Sequence, residues 1–204
     1  NLGKVSMDSV LSGRVVGDDG DRITSAVARL QDLPLVIDDQ GNLTIHELTA
    51  KARTMKRKFG IKALMIDYIG LMASTNDNRV QALGEISRSI KGLAKELQLP
   101  ILLLSQLSRK CEERTDKRPI LSDLRDSGDI EADADAVLML YRDEYYRPDT
   151  PDKGIAEVLI RKNRQGATGI TPLAFLGEFT RFENLCHEWR PQEAEPPKKG
   201  RRFD

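Results

Sequence analysis

Cysteine and histidine are scarce in this chain: two cysteines, Cys111 and Cys186, and two histidines, His46 and His187, in 204 residues. They are spaced like no known metal-ligand set, and the cysteines read as reduced thiols of a cytosolic protein. No stretch approaches the roughly 18 apolar residues that a membrane span needs, and nothing at the amino terminus resembles a signal. An excess of either charge is missing too. With 32 Lys and Arg against 32 Asp and Glu, an overall basic footprint is excluded, so any nucleic-acid contact has to come from a patch or a loop. A glycine-rich phosphate loop is also absent, because no glycine-rich turn or strand leads into Gly3-Lys4. The chain begins at Asn1 rather than methionine, and so reads as a fragment, a trimmed product or the ordered part of something longer.

What is present is a soluble globular composition, 39% hydrophobic and 31% charged, long enough for one substantial core plus tails. Residues 4 to 32 read as helical, with Ile23, Val27 and Leu30 on one face. Leu35-Val36-Ile37-Asp38 reads as a short buried strand before a turn at Gln40-Gly41-Asn42. Thr44 with Glu47 is a capping box. Behind it Ile45, Leu48, Ala52 and Met55 form an apolar stripe that Gly60 closes. A buried strand follows, Ala63-Leu64-Met65-Ile66, ending in Asp67. From about Asn76 to Leu97 the apolar residues Val80, Leu83, Ile86, Ile90, Leu93 and Leu97 recur every three or four positions, which predicts a helix covering a sheet. A second strand runs from Pro100 to Gln106, and a third over Ala136–Leu140. The last strands, Ile155 to Lys162, Thr171 to Leu176 and Thr180 to Phe182, have short connections that predict an antiparallel finish.

This alternation predicts an α/β fold with a mainly parallel sheet and right-handed crossovers. The expected organisation is one partial domain over residues 1–189. The Pro- and charge-rich stretch 190–204 reads as a disordered tail.

Four places could carry chemistry. Asp67, a carboxylate at the end of an apolar strand, can hold the water shell of a magnesium ion on nucleotide phosphates; a strand-end Asp can equally cap a turn. Gln106 occupies the equivalent point one strand over, where an amide both donates and accepts. Gly128 and Arg125, in Ser122-Asp123-Leu124-Arg125-Asp126-Ser127-Gly128-Asp129, could grip a phosphate through backbone N–H groups and one guanidinium. The flanking carboxylates read as an acidic surface loop. Lys162 and Arg164, on one side of a strand end by alternation, suit an anion, a phosphate on a neighbouring subunit among the candidates.

Taken in order, these blocks carry a resemblance. Ile66-Asp67-Tyr68-Ile69-Gly70-Leu71-Met72, Glu85-Ile86-Ser87-Arg88-Ser89, Leu104-Ser105-Gln106-Leu107, Ser122 to Gly128, Ala132-Asp133-Ala134-Asp135, Tyr141-Arg142-Asp143-Glu144 and Lys162-Asn163-Arg164 resemble the DnaB-type replicative helicases of bacteria and phages. The likeness runs from about Gly3 to Asn184. It implies a RecA-like motor domain that hydrolyses ATP with Mg²⁺ and moves a hexameric ring along single-stranded DNA in the cytoplasm, with primase and a helicase loader as further partners and no membrane.

Under that resemblance Asp67 is the Walker B aspartate acting on magnesium through water, and Gln106 couples γ-phosphate state to the DNA loops. Arg125, Asp126 and Gly128 line the channel and hold the DNA backbone, although many relatives have Glu where Asp126 stands. Lys162 and Arg164 serve the neighbouring subunit's ATP, with Asn163 where Gln is common. The family's phosphate loop, G-x-x-x-x-G-K-[ST], and its catalytic glutamate would precede Asn1, so the 204 residues alone are expected not to hydrolyse ATP. The alternatives are another RecA-family ATPase, or a non-catalytic remnant that binds DNA or partner subunits.

Overall fold

The computed structural model describes residues 2–72, 79–186 and 189; the side chains of residues 71, 79 and 125–129 lie outside that description, as does the predicted tail 190–204. Two compact units divide the chain. One is drawn from Asn1–Asp39, Leu140–Val158 and Ile170–Arg190; the other is drawn from Gln40–Met139 and Leu159–Gly169, together with the tail.

The second unit holds the parallel pair and its helices. Helix α3 spans Ile45–Phe59. Thr44 Oγ1 accepts from the Glu47 amide at 3.3 Å, while the Glu47 carboxylate accepts from the Thr44 amide at 2.8 Å. That reciprocal cap satisfies two of the helix's orphan donors. Gly60 closes the helix in the left-handed region at φ 62, its N–H donating to the Lys56 carbonyl at 3.0 Å. Strand β1, Leu64–Ile66, pairs in parallel with β2, Ile101–Leu103, in the register Leu64 to Ile101 and Ile66 to Leu103.

Between the two strands runs helix α4, Arg79–Leu97. Its three-and-four spacing buries Leu83, Ile86, Ile90 and Leu93, as the periodicity predicts, while Val80 at the helix start is exposed. The predicted first turn from Asn76 lies outside the described residues. The core gathers Leu48 of α3, Ile66 of β1, Ile69, the α4 residues Leu83, Ile86 and Ile90, and Ile130. Each such side chain, fully withdrawn from water, contributes about 1.5–3 kcal/mol before entropy is counted. Ile130 belongs to a short helix, α5, Gly128–Asp133, which packs on α4.

The first unit opens with helices α1, Met7–Ser12, and α2, Asp19–Gln31. The continuous helix expected over 4–32 is therefore broken. Gly13 and Gly17 take φ of 70 and 59, left-handed conformations that glycine adopts without strain and that stop an α-helix. The expected buried strand Leu35-Val36-Ile37-Asp38 is also not formed: no strand is assigned there, and Leu35 and Ile37 are 60% and 78% exposed. A strand needs a neighbour to complete its ladder, and none pairs with this segment among the described residues.

A four-stranded sheet follows the order β3, Ala136–Tyr141; β4, Ile155–Asn163; β5, Gly169–Leu176; and β6, Arg181–Asn184. β5 and β6 are antiparallel, the finish that the short connections predict. In the first unit, the buried Asp143 carboxylate accepts from Tyr141 Oη at 2.6 Å, Thr150 Oγ1 and the Arg147 guanidinium. This knits the short helix Asp143–Tyr146, α6, to the chain that leads into β4. Among the described residues no helix is long and apolar enough to cross a membrane.

Candidate functional site

The register of β1 and β2 puts Asp67 and Gln106 at the same edge. Asp67 follows the last residue of β1 directly and Gln106 lies three residues past β2. Parallel strands deliver their carboxyl ends to one side of a sheet, where open α/β folds place ligands. Past the strands, Leu104 donates to the Ile66 carbonyl at 3.0 Å, and Ile69 donates to the Leu104 carbonyl at 3.1 Å. The backbone on either side of Asp67 is thereby tied to the segment that leads to Gln106. Both side chains are exposed, and neither is held by a side-chain hydrogen bond among the described residues. The peptide bond between Asp67 and Tyr68 is cis.

The expected phosphate-gripping loop falls in a 3-10 segment, Leu121–Ser127, that passes directly into α5 at Gly128. The side chains of Arg125, Asp126 and the Gly128 surroundings lie outside the described residues, so the backbone path alone bears on them. That path is anchored on both flanks. Asp123 and Leu124 are buried before it and Ile130 after it.

Lys162 and Arg164 share one side of the β4 end, as alternation predicts, and both meet the last turn of α5. The Lys162 ammonium donates to the Glu131 and Ala132 carbonyls, and the Arg164 guanidinium donates to the Ala132 carbonyl. Those carbonyls are orphan acceptors at a helix C-terminus, where cations are favoured. Arg164 also reaches the Asp135 carboxylate at 3.1 Å. Asp135 in turn contacts Lys91 of α4. The Lys91 hydrogen bond, with Arg164 adding to it, lowers the Asp135 carboxyl below its usual range.

Asp135 and Lys91 are residues that sequence patterns do not single out. Asp135 reads as one more acid in an acidic loop, and Lys91 as a polar residue off the α4 stripe. Their signal is complementary charge at a separation of 44 residues, which local patterns do not carry. The pairing of Arg114 with Asp123 is equally hidden. The guanidinium donates from its two terminal nitrogens to the two carboxylate oxygens, each at 2.7 Å. No group of His, Cys, Asp and Glu among the described residues is arranged to hold a metal by protein ligands alone. Cys111 is a buried free thiol, pushed up by burial, and Cys186 is exposed and free of any disulfide.

Comparison with known proteins gives the family. The family model described as the DnaB-like helicase C terminal domain matches residues 1–184. The chain is 41% identical over 198 residues to the replicative DNA helicase DnaB of Geobacillus stearothermophilus, covering 96% of this chain and 43% of that protein. It is 44% identical over 193 residues to the replicative DNA helicase DnaB of Pasteurella multocida, covering 92% of this chain and 41% of that one. The chain thus spans well under half the length of these relatives. Among solved structures, a DnaB-like replicative helicase described with its interactions with primase matches with a TM-score of 0.85 at 38% identity, over 90% of this chain and 46% of that one. A solved ATPase domain gives the same score and identity, over 90% of this chain and 67% of that one. A family match over residues 1–184, with relatives more than 40% identical along nearly the whole chain, leads to one conclusion: the chain belongs to the DnaB-like helicase C-terminal domain family.

Proposed function

We propose that this chain is the carboxy-terminal motor portion of an ATP-driven replicative DNA helicase, which assembles as a hexameric ring, translocates on single-stranded DNA and works in the cytoplasm beside a primase and a loader. The observation that carries the reading is the registered parallel pair, which brings Asp67 and Gln106 to one edge. Asp67 is an exposed hard-oxygen donor with no internal hydrogen bond among the described residues, and so fits the water shell of Mg²⁺. When bound, Mg²⁺ neutralises charge on the nucleotide's phosphates.

The chain's own residues do the rest. Gln106 both donates and accepts, and so can sense the γ-phosphate or orient the attacking water. The amides around Gly128 and the Arg125 guanidinium hold DNA backbone without reading bases, which is how an acidic loop can serve DNA. Lys162 and Arg164 would reach a neighbouring subunit's phosphates, exchanging the α5 carbonyls and Asp135 for a stronger anion. Together these residues cover the metal, γ-phosphate and trans-acting roles of an ATP site.

The test is Asp67→Ala in the full-length protein. Hydrolysis is expected to fall at least about a hundredfold, a barrier change of about 2.7 kcal/mol, with the ring still assembled by sizing and light scattering. Normal turnover would remove Asp67 from the metal site.

A further inference from the structure

We propose that Arg114 and Asp123 are positioning residues for the DNA loop: their bidentate ion pair fixes the backbone that presents Arg125 and Gly128 to DNA. The inference rests on the reading of 125–128 as a DNA contact.

Asp123 is 4% exposed, and a carboxylate so withdrawn from water is tolerated only when fully paired. Both its oxygens are used. Oδ1 accepts from one terminal nitrogen of Arg114 and Oδ2 from the other, each at 2.7 Å, and Oδ2 also accepts from the Ile120 amide at 2.8 Å. Arg114 spends two further donors on the chain between them, on the Arg118 carbonyl at 2.9 Å and the Asp116 carbonyl at 3.3 Å. The segment from Arg114 to Asp123 is therefore closed into a ring by one guanidinium. Lysine cannot reproduce that fork, because its ammonium is a point charge.

The ring's location gives it a role beyond stability. The Asp123 carbonyl accepts from the Ser108 amide at 2.9 Å, and Ser108 lies two residues after Gln106. Arg125 lies two residues after Asp123. One residue thus links the segment leaving β2 to the entry of the loop, and its side chain is locked by Arg114. Leu124 is also buried, so the chain is anchored up to the residue before Arg125. Backbone N–H groups grip a phosphate only while they point at it together, so freeing the entry of the loop should cost affinity even with Arg125 intact.

The experiment measures binding of a fluorescent oligo-dT to the full-length protein by anisotropy, for the parent, Arg114→Lys, Asp123→Asn, Arg125→Ala and the double variant Arg114→Lys/Arg125→Ala, with melting recorded for each. Arg114→Lys and Asp123→Asn are expected to weaken binding about tenfold. The double variant should lose less than the sum of the two single losses, because residues acting through one structure are not additive. A protein softened only in its general stability would lose melting temperature and show additive losses. Parent-like binding by both Arg114→Lys and Asp123→Asn, or full additivity in the double variant, overturns the positioning role. Parent-like binding by Arg125→Ala, or no binding by the parent, overturns the DNA-loop reading instead. If Arg114→Lys does not fold, Asp123→Asn, which keeps an acceptor for the Ile120 amide, is paired with Arg125→Ala and read by the same criteria.

Discussion

Asp123 has a measurable acid signature. The hydrogen bonds from Arg114 hold its carboxyl below the usual range, outweighing the upward push of burial, and the Ile120 amide assists. A carboxyl depressed in the folded state adds stability above its unfolded pKa, about 3.9, and that stability is lost as pH falls through the folded value. Urea unfolding followed from pH 7 downward should therefore show the parent losing stability more steeply below about pH 4 than Asp123→Asn. At pH 7 the variant should be less stable by about 2 kcal/mol, less than for a fully buried pair because Arg114 is partly exposed. Parallel curves for the two proteins would show that the Asp123 carboxyl is not held below its unfolded pKa by the fold. None of this is legible in the sequence, where Asp123 looks like one of six acids in a polar stretch. An ion pair nine residues apart across irregular backbone leaves no period to read.

At the scale of elements, the legible parts are those whose stability is local. The capping box of Thr44 and Glu47 and the buried stripe Leu83, Ile86, Ile90 and Leu93 of α4 follow from spacing alone, since a helix closes its own hydrogen bonds and needs only one apolar stripe. Thr44→Ala should cost about 1 kcal/mol, and Ile90→Ala, which empties a core position shared with β1 and α3, about 2–4 kcal/mol. Chemical denaturation of the two variants checks the order; a larger loss from Thr44→Ala would mean that α3, not the core, limits stability. The elements that differ from their sequence-based expectation are the ones whose fate is decided elsewhere. Residues 4–32 contain enough apolar spacing for one helix, yet Gly13 and Gly17 turn the chain left-handed between α1 and α2. Leu35 to Asp38 has the composition of a strand, but composition cannot provide a partner to bond with.

For the molecule as a whole, the positions of Asp67 and Gln106 are readable because each sits at the end of an apolar run. The state of Lys162 and Arg164 is not. Their sequence shows two cations at a strand end; the structure shows both engaged, Lys162 by α5 carbonyls and Arg164 by an α5 carbonyl and Asp135. Serving a neighbour, as proposed, would therefore require an exchange of partners and would divide the residues of one ATP site between two subunits. Mixed assemblies test that directly. Full-length subunits carrying Arg164→Ala are combined with subunits that keep Arg164 but have a disabled phosphate loop, and DNA-stimulated ATP hydrolysis is measured against each inactive parent alone. Recovered hydrolysis in the mixture is the predicted result, because an intact phosphate loop then meets an intact Arg164 across some interfaces. A mixture as inactive as its parents, with mixed rings verified by mass, would contradict the account.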